Sequence, residues 1–515
     1  MRGLPPYVLV AVFGVFFAAG PAPAAPADRG ALRAQRAAMT EEASADADAR
    51  AERAVAVVTR LLDRIENGPV VAEFEPVAQL IAGLGRLDAD RVGGLAGRVA
   101  KLPAEKAPDA LDGDAKAAWD GELAQVHAAI TDRAFGLMKK AAEANEASLA
   151  ASLMWEVLWF HPDHPGIRDA LGMKSPSAEV RRAAGLDPGP ARDAISAETL
   201  DYERFDPDRR WYAPFNAKRL EEGFAWDPGL GWVDVSKRDR YEKGGVYDLQ
   251  RKRWVLLSEA NDYHRRPDRA WDIRTEHLRI RGTADLAVLA DAATKLELLS
   301  REIFALYAGF FAQKRGDDVL RLSLGLTKAE PLEVWILHDK ETYQDVSDAP
   351  DWSGGVYDPA ENRSYFYGAA GETMYHEFTH HLLEAYTGQN RAEAWLVEGI
   401  AGYTETVTFE RGQVTLPGAR PSSALSLEDL LKLRTNRQWH GWHDRAERND
   451  RPSAYADAAS LVTYAMNAED GRYRADTIDY VRDAYLGRTR RAALWDYLGL
   501  SDDAFAAGYA RWRGR

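Results

Sequence analysis

The first third of the chain has the hydrophobic spacing of helices rather than that of strands. Apolar residues recur every three or four positions near the end of 31–67, and similar patterns follow over 77–102 and 115–171. The stretch 36–51 is rich in alanine and charged residues, and we therefore expect it to be frayed or disordered. The pattern predicts an all-helical domain over 25–187.

A proline-marked turn separates two predicted helices within 150–171. The first helix, the turn at Pro162 and Pro165, and the second helix resemble one unit of a tetratricopeptide-like hairpin. No clean repeat of this unit is visible elsewhere, so the sequence does not predict a superhelical array. His161 and His164 flank the turn, where we expect turn and capping roles rather than metal binding.

Aromatic residues, prolines and glycines become frequent over 188–270. Short runs with strand character occur there at 231–235 and 245–248. The composition predicts a small β-containing module that connects the helical domain to the rest of the chain. We expect its tryptophans and tyrosines to pack in the interior, which is a more common role than stacking on sugars.

The remainder of the chain mixes strand and helix patterns. Residues 271–280 alternate apolar and polar positions as a strand does, and 285–312 have the spacing of a long amphipathic helix. A second strand is predicted at 332–337 and a hairpin at 354–367. Three further helices are predicted at 455–467, 475–486 and 502–512. This order predicts an α+β domain over 271–515.

The helix that follows the hairpin carries the motif His376-Glu377-x-x-His380. Histidines four residues apart lie on one face of a helix, so both imidazoles can reach the same metal ion. Glu398 lies on the next predicted helix, beyond a break near Gly388, and its carboxylate can approach that ion. A set of two histidines and one glutamate is typical of catalytic zinc sites.

The alternative is a surface helix on which this spacing is coincidental. An isolated HExxH is common by chance, but here a WLVEG segment at 395–399 stands at a workable distance, and apolar residues surround both segments. We therefore predict a metal centre at His376, His380 and Glu398.

The two segments together resemble the gluzincin, or peptidase-MA-like, clan of metallopeptidases. HExxH at 376–380 and WLxEGxAxY at 395–403 carry the resemblance, which extends over 271–515. It is closest to exported members known only as a domain of unknown function. The resemblance implies a zincin-like domain with a small mixed sheet, the HExxH helix and C-terminal helices.

The resemblance also implies a role for each residue of the motif. His376 and His380 would bind one zinc ion per chain through imidazole nitrogens, and Glu398 would bind it through its carboxylate. Glu377 would be the general base that takes a proton from the attacking water and returns it to the leaving amine. The substrates would be peptides or proteins.

An oxyanion formed during hydrolysis needs a hydrogen-bond donor besides the metal. Tyr403 and Tyr455 are the candidates, and His440 and His443, from a predicted loop, are poorer ones. Packing in the protein interior is the alternative for both tyrosines.

Glu405 is a candidate for orienting a ligand histidine, because it lies two turns beyond Glu398 on the same helical face. A solvated glutamate is the alternative. Some gluzincins carry an acidic residue four positions beyond the glutamate ligand, where this chain has Gly402. Their exopeptidase relatives carry an upstream amine-binding motif that is not recognisable here, so endo- and exopeptidase activity both stay open.

The N-terminal sequence is typical of an exported protein. Residues 1–24 combine a basic start, a short apolar run and an Ala-Pro-Ala cleavage pattern, which predicts a signal peptide and a periplasmic or extracellular location. The run is shorter than the roughly 20 residues that cross a bilayer, so no membrane span is expected after cleavage. The chain has no cysteine, which excludes disulfides and thiolate ligands. Its net charge of -14 argues against nucleic acid as a partner.

The sequence therefore favours an exported zinc metallopeptidase whose helical domain recruits or positions a protein partner, or restrains access. An envelope scaffold for protein interactions, with a non-catalytic metallopeptidase-like domain, is the main alternative. The presence of Glu377 favours the enzyme, because a scaffold needs metal ligands but no general base. A hydrolase of non-peptide amides, such as a cell-wall component, is the third hypothesis.

Overall fold

The computed structural model of the chain describes residues 26–68, 72–186, 194–195, 200, 205–313, 318–327, 330–369, 371–410, 413–416, 418, 451–489 and 492–514. The predicted signal peptide at 1–24, His440 and His443 lie outside the described residues. The described part combines helices with small sheets, which confirms the predicted α+β class.

Helices make up the described chain before residue 187. They are α1 (Pro26–Asn67), α2 (Phe74–Leu87), α3 (Val92–Ala100), α4 (Gly113–Glu143), α5 (Ala147–Phe160), α6 (Pro165–Leu171) and α7 (Ala178–Ala183). Helix α4 packs against α5, and α2 packs against both α1 and α5. His164 caps α6 as expected, because its Nδ1 accepts a hydrogen bond from Ile167 N at 3.3 Å.

The prediction of fraying over 36–51 is wrong, since α1 passes through this stretch without interruption. Arg36 donates hydrogen bonds to Glu146 at 2.8 Å, to Asp476 at 2.5 Å and to Asp479 at 2.7 Å. Ion pairs with distant parts of the chain therefore help to order the stretch, together with the burial of Met39 and Ala43 in hydrophobic clusters. A low local hydrophobicity gives no sign of such contacts.

Replacing Arg36 tests how far this network holds α1 in place. We expect Arg36→Ala to lower the free energy of unfolding by about 2 kcal/mol, because three largely buried carboxylates lose a shared cation. Chemical denaturation measures the effect, and hydrogen exchange should rise in the first half of α1. Arg64→Ala is the matched control, since its pair with Glu122 is exposed and should contribute less than about 1 kcal/mol. Equal losses in the two variants would contradict an ordering role for Arg36.

The connecting module contains two separate antiparallel hairpins. Its strands are β1 (Phe224–Asp227), β2 (Gly231–Asp234), β3 (Gly245–Asp248) and β4 (Arg253–Leu256), and its helices are α8 (Pro214–Glu221), α9 (Arg238–Glu242) and α10 (Leu257–Tyr263). β2 and β3 lie where strands were predicted. Aromatic side chains pack against one another, as Trp254 and Tyr241 do with ring centroids 4.9 Å apart.

A five-stranded mixed sheet follows, in the order β5-β6-β7-β9-β8. The strands are β5 (Trp271–Arg274), β6 (Leu278–Gly282), β7 (Leu332–Leu337), β8 (Gly355–Asp358) and β9 (Arg363–Tyr367). The central pairs β6–β7 and β7–β9 are parallel, and the outer pairs are antiparallel. The single strand predicted over 271–280 is wrong, because the chain turns at Thr275, whose N–H donates to Leu278 O. Apolar and polar residues alternate on each side of this turn, but the apolar positions shift from odd numbers before it to even numbers after it, and this shift is the signal that the prediction of one strand ignored.

The remaining helices pack around this sheet and around one another. They are α11 (Leu286–Leu306), α12 (Ala308–Phe311), α13 (Val319–Leu322), α14 (Lys340–Ser347), α15 (Gly371–Thr387), α16 (Ala394–Thr404), α17 (Arg451–Gly471), α18 (Arg474–Tyr485), α19 (Leu494–Leu498) and α20 (Asp502–Arg513), with a hairpin of β10 (Thr408–Glu410) and β11 (Gln413–Thr415). The predicted helix over 285–312 breaks at Tyr307, and α17 is kinked over 468–470. The three helices predicted at 455–467, 475–486 and 502–512 are confirmed as α17, α18 and α20.

The largest hydrophobic cluster joins the sheet to α11 and to α15–α20. Two smaller clusters combine the N-terminal helices with later elements: Leu158 packs in one with Leu324, and Ala150 packs in the other with Ala308. The helical part thus packs directly on the part that carries the sheet. No helix among the described residues has the length and apolar character needed to cross a membrane.

Candidate metal centre

Helix α15 presents the two histidines of the motif on one face. The ring centroids of His376 and His380 lie 4.9 Å apart, as expected for residues one turn apart. Phe378 and Leu382 on other faces are fully buried, and the helix packs against β8, β9, α11 and α16. Burial on three sides fixes the orientation of the face that carries the histidines.

Helix α16 brings Glu398 to this face. Glu398 Oε2 lies 3.0 Å from His376 Nε2 and 3.5 Å from His380 Nε2. The candidate ligand atoms of these three residues all lie within 4.8 Å of one another, and no other group of three or more His, Asp or Glu residues in the described chain meets this condition. The three residues could hold a metal ion, as the sequence predicted.

The electrostatics of the group favour a cation. Burial opposes ionisation of Glu398, but the two neighbouring histidines outweigh it and lower the pKa of Glu398 to about 2. Burial similarly opposes protonation of His376, whereas hydrogen bonds to Glu398 and Glu405 raise the pKa of His376 to about 10. The carboxylates thus favour the protonated, positively charged form of the His376 ring. A divalent cation would replace that proton, because an imidazole must be neutral to bind metal.

Glu405 makes the contact that the sequence suggested. Its Oε2 lies 2.9 Å from Nδ1 of His376, on the side of the ring opposite Glu398. A carboxylate at this nitrogen fixes the orientation of the ring and leaves Nε2 free for a metal ion.

Two glycines allow α16 to approach α17 closely. A Cβ at Gly399 would lie 2.7 Å from the backbone oxygen of Ala458, and a Cβ at Gly402 would lie 2.8 Å from Cβ of Ala459. No side chain therefore fits at Gly402 without moving one of the two helices. Glu405, about one turn further on, supplies the carboxylate that contacts His376.

Glu405→Ala is expected to weaken metal binding about 10- to 100-fold without changing the fold. The reason is that His376 loses the carboxylate that orients its ring. Competition with a chromogenic chelator measures the affinity. Glu372→Ala is the control, since Glu372 is an exposed glutamate in the first turn of the same α15 and should change nothing. Unchanged affinity in Glu405→Ala would show that the contact at Nδ1 is dispensable.

Glu377 is held apart from the three candidate ligands. Its Oε2 accepts a hydrogen bond from the backbone N–H of Tyr357 at 3.1 Å. Tyr357 belongs to β8, which pairs only with β9 among the described strands. The contact directs the carboxylate of Glu377 towards the edge of the sheet.

The two candidate tyrosines have different surroundings. Tyr403 is 2 % exposed and its hydroxyl donates to Asn467 Oδ1 at 3.2 Å, so the structure does not bring it to the three ligands and favours the packing alternative. The ring of Tyr455 lies 6.1 Å from the ring of His376. Tyr455 therefore stays the candidate oxyanion donor.

His381 and Ser364 help to position the strand beside Glu377, and neither was predicted from the sequence as part of the site. His381 is fully buried, its Nδ1 lies 3.1 Å from Ser364 Oγ, and its ring stacks on that of Tyr357 with centroids 4.9 Å apart. This stacking fixes the strand whose N–H contacts Glu377. The available signal was helical periodicity, because His381 lies about 100° around α15 from His380 and so points towards the sheet.

Comparisons of this chain with protein-family models and with curated proteins give no match.

Proposed function

We propose that the protein is a zinc-dependent peptidase whose catalytic centre is formed by His376, Glu377, His380 and Glu398. The observation that carries the proposal is the convergence of the three ligand residues, with a separately held carboxylate beside them. A metal site that does not catalyse a reaction needs its three ligands but no general base. Glu377 is outside the ligand set, so its presence favours catalysis.

The ligand set supports zinc as the ion. Two imidazole nitrogens and one carboxylate oxygen are the donors of many catalytic zinc sites, which leave a fourth position open. When bound, zinc acts as a Lewis acid and lowers the pKa of a water molecule from about 15.7 to about 7.

The protein's own groups would then carry the proton. The carboxylate of Glu377 accepts a proton from the attacking water and delivers it to the amine that leaves. The N–H of Tyr357 fixes this carboxylate so that one oxygen stays free for the proton. The hydroxyl of Tyr455 is the proposed donor to the developing oxyanion.

The edge strand β8 supports an extended peptide as the substrate. An extended chain can add to an edge strand as a further strand through backbone groups that the sheet leaves unpaired. In β8 the Tyr357 N–H already donates to Glu377, and Ser353 Oγ contacts both the N–H and the C=O of Gly355, so a peptide would pair through the other backbone groups of the strand. Because Tyr357 lies in β8 and contacts Glu377, a peptide on this edge would place its scissile bond beside the base.

The proposal also includes the predicted domain types and the predicted export of the protein. The mixed sheet with α15 and the helices after it supports a zincin-like, gluzincin-type domain over 271–515. A tetratricopeptide-like hairpin of α5 and α6 that offers a surface to a protein partner stays part of the proposal, on the sequence pattern alone, since α6 has seven residues. Export through a signal peptide at 1–24 to the periplasm or the medium completes the proposal.

Metal content and hydrolysis of a diverse quenched-peptide library by the purified protein test the proposal. We expect one zinc ion per chain, with hydrolysis that a chelator abolishes and added zinc restores. A folded protein that takes up neither zinc nor another divalent ion would overturn the metal centre. A zinc-loaded protein that cleaves no peptide would overturn the peptidase and favour the scaffold.

A further inference from the structure

A cavity lies where the N-terminal helical part, the connecting module and α11 meet. It encloses about 340 Å³, within the range of small-ligand pockets. None of the residues that line it belongs to α15 or α16, so it is separate from the metal centre. Junctions between structural units are preferred positions for ligand sites.

Three tryptophans and one tyrosine line this cavity, and two of the tryptophans are neighbours. Trp226 and Trp232 stand nearly perpendicular, with ring centroids 5.5 Å apart. Their indole N–H groups are used elsewhere: that of Trp226 donates to Thr294 Oγ1 at 3.0 Å, and that of Trp232 donates to Arg274 O at 2.8 Å. With their polar edges satisfied, both rings offer the cavity only apolar carbon and electron-rich faces.

Most charged groups in the lining already have partners of opposite charge. His277 Nδ1 lies 2.7 Å from Glu297, and its Nε2 lies 2.8 Å from Leu324 O. Asp208 accepts a hydrogen bond from Arg168 at 2.6 Å.

Arg301 is the one remaining cation of the lining. It donates to Asp206 at 3.2 Å and also lies within electrostatic reach of Asp208 and Glu302. Its charge is therefore balanced by carboxylates, and an anionic ligand would have to compete with them.

Two hydrogen-bond acceptors in the lining, the side chains of Asn216 and Glu276, take part in no ion pair with a described residue. Asn216 Oδ1 is buried without a hydrogen-bond partner among the described residues. The carboxylate of Glu276 accepts only the backbone N–H groups of Phe215 and Asn216, at 3.0 and 3.2 Å, and forms no ion pair with a described side chain. Burial raises the pKa of Glu276, although the neighbouring charge of His277 acts in the opposite direction.

The unpaired Asn216 Oδ1 favours a donor from a ligand, because a buried polar atom without a partner is costly. A carboxylate beside aromatic faces is the arrangement that recognises an ammonium group, through a charged hydrogen bond and cation–π attraction. We infer that this cavity binds a small primary ammonium ion that carries an aromatic ring. The ammonium group donates to Glu276 and Asn216, and the ring packs against Trp226 and Trp232.

Three probes of one shape and different charge test the inference. 2-Phenylethylamine, 2-phenylethanol and phenylacetate share the ring, and at neutral pH they are a cation, a neutral molecule and an anion. Calorimetric titration of the protein should show the amine binding at least about tenfold more tightly than the alcohol, with the anion weakest. Quenching of tryptophan fluorescence by the amine should accompany binding. An anion that binds as tightly as the amine, or a folded protein that binds none of the three, would overturn the inference.

Substitution of the acceptor separates the site from non-specific binding. Glu276→Gln keeps an oxygen for the N–H groups of Phe215 and Asn216 but removes the charge, so the fold should persist by circular dichroism. We expect it to weaken the amine about tenfold and to leave the alcohol unchanged. Glu221→Gln is the control and should bind the amine normally, because Glu221 is exposed at the far end of α8, the helix that carries Phe215 and Asn216. Amine binding that survives Glu276→Gln at full strength would sink the assignment.

Discussion

Glu377→Gln is expected to lower kcat/KM for peptide hydrolysis about 10²- to 10⁴-fold, while the protein keeps one metal ion per chain. Glutamine has nearly the same shape and can still accept the N–H of Tyr357. It cannot take a proton at neutral pH, so only the proton transfer is lost. Because Glu377 is outside the group of three ligands, metal content should not change. Steady-state kinetics on a peptide selected from the library and metal analysis measure the two effects.

The control for Glu377→Gln is a second glutamate of α15. Glu372→Gln introduces the same chemical change in the exposed first turn of α15 and should leave both hydrolysis and metal content unaltered. If Glu377→Gln keeps more than about a tenth of the wild-type rate, another group is the base. If hydrolysis disappears while the cellular function of the protein survives, the scaffold hypothesis becomes the better one.

The elements around the motif could be predicted because their signals are local. Helix α15 ends at Thr387, just before the predicted break at Gly388, and α16 begins one residue before Trp395. Helical spacing alone places His376 and His380 on one face. The separation of the two motifs then leaves room for a short connection between α15 and α16. Local periodicity and a known ligand geometry were sufficient for this part of the site.

Other features depend on contacts between distant residues and have no local signal. In α1, Arg36 binds the carboxylates of Asp476 and Asp479, which lie more than 400 residues away in the sequence. The composition of 36–51 does not indicate these contacts. Tyr403 has the helical position of a site residue, yet the close approach of α17 turns its hydroxyl to Asn467. The N–H of Tyr357 that orients Glu377 is a backbone group, which a search for chemically active side chains does not find.

The close contact between α16 and α17 leads to the second large effect, at Gly399. We expect Gly399→Ala to lower the free energy of unfolding by about 2 kcal/mol and Gly399→Val by about 3–4 kcal/mol, with weaker metal retention in both. A Cβ at this position would lie 2.7 Å from Ala458 O and 2.9 Å from Val462 Cγ2. The first of these is a backbone atom within a helix, so relief requires α16 and α17 to separate. Urea denaturation and metal retention after dialysis measure the two losses.

Helix propensity alone predicts the opposite sign, and this makes the test decisive. Alanine is favoured over glycine in a helix by about 1 kcal/mol, so a Gly→Ala change without a collision should stabilise the protein. Gly97→Ala in α3 provides that control, because a Cβ there meets nothing within 4 Å. A stabilised Gly97→Ala beside a destabilised Gly399→Ala isolates the effect of packing. Metal retention should fall with it, since Glu398 directly precedes Gly399 and moves with α16. Stabilisation of both variants would mean that the two helices have room to adjust, and that Glu398 is positioned by its own hydrogen bonds with the histidines instead.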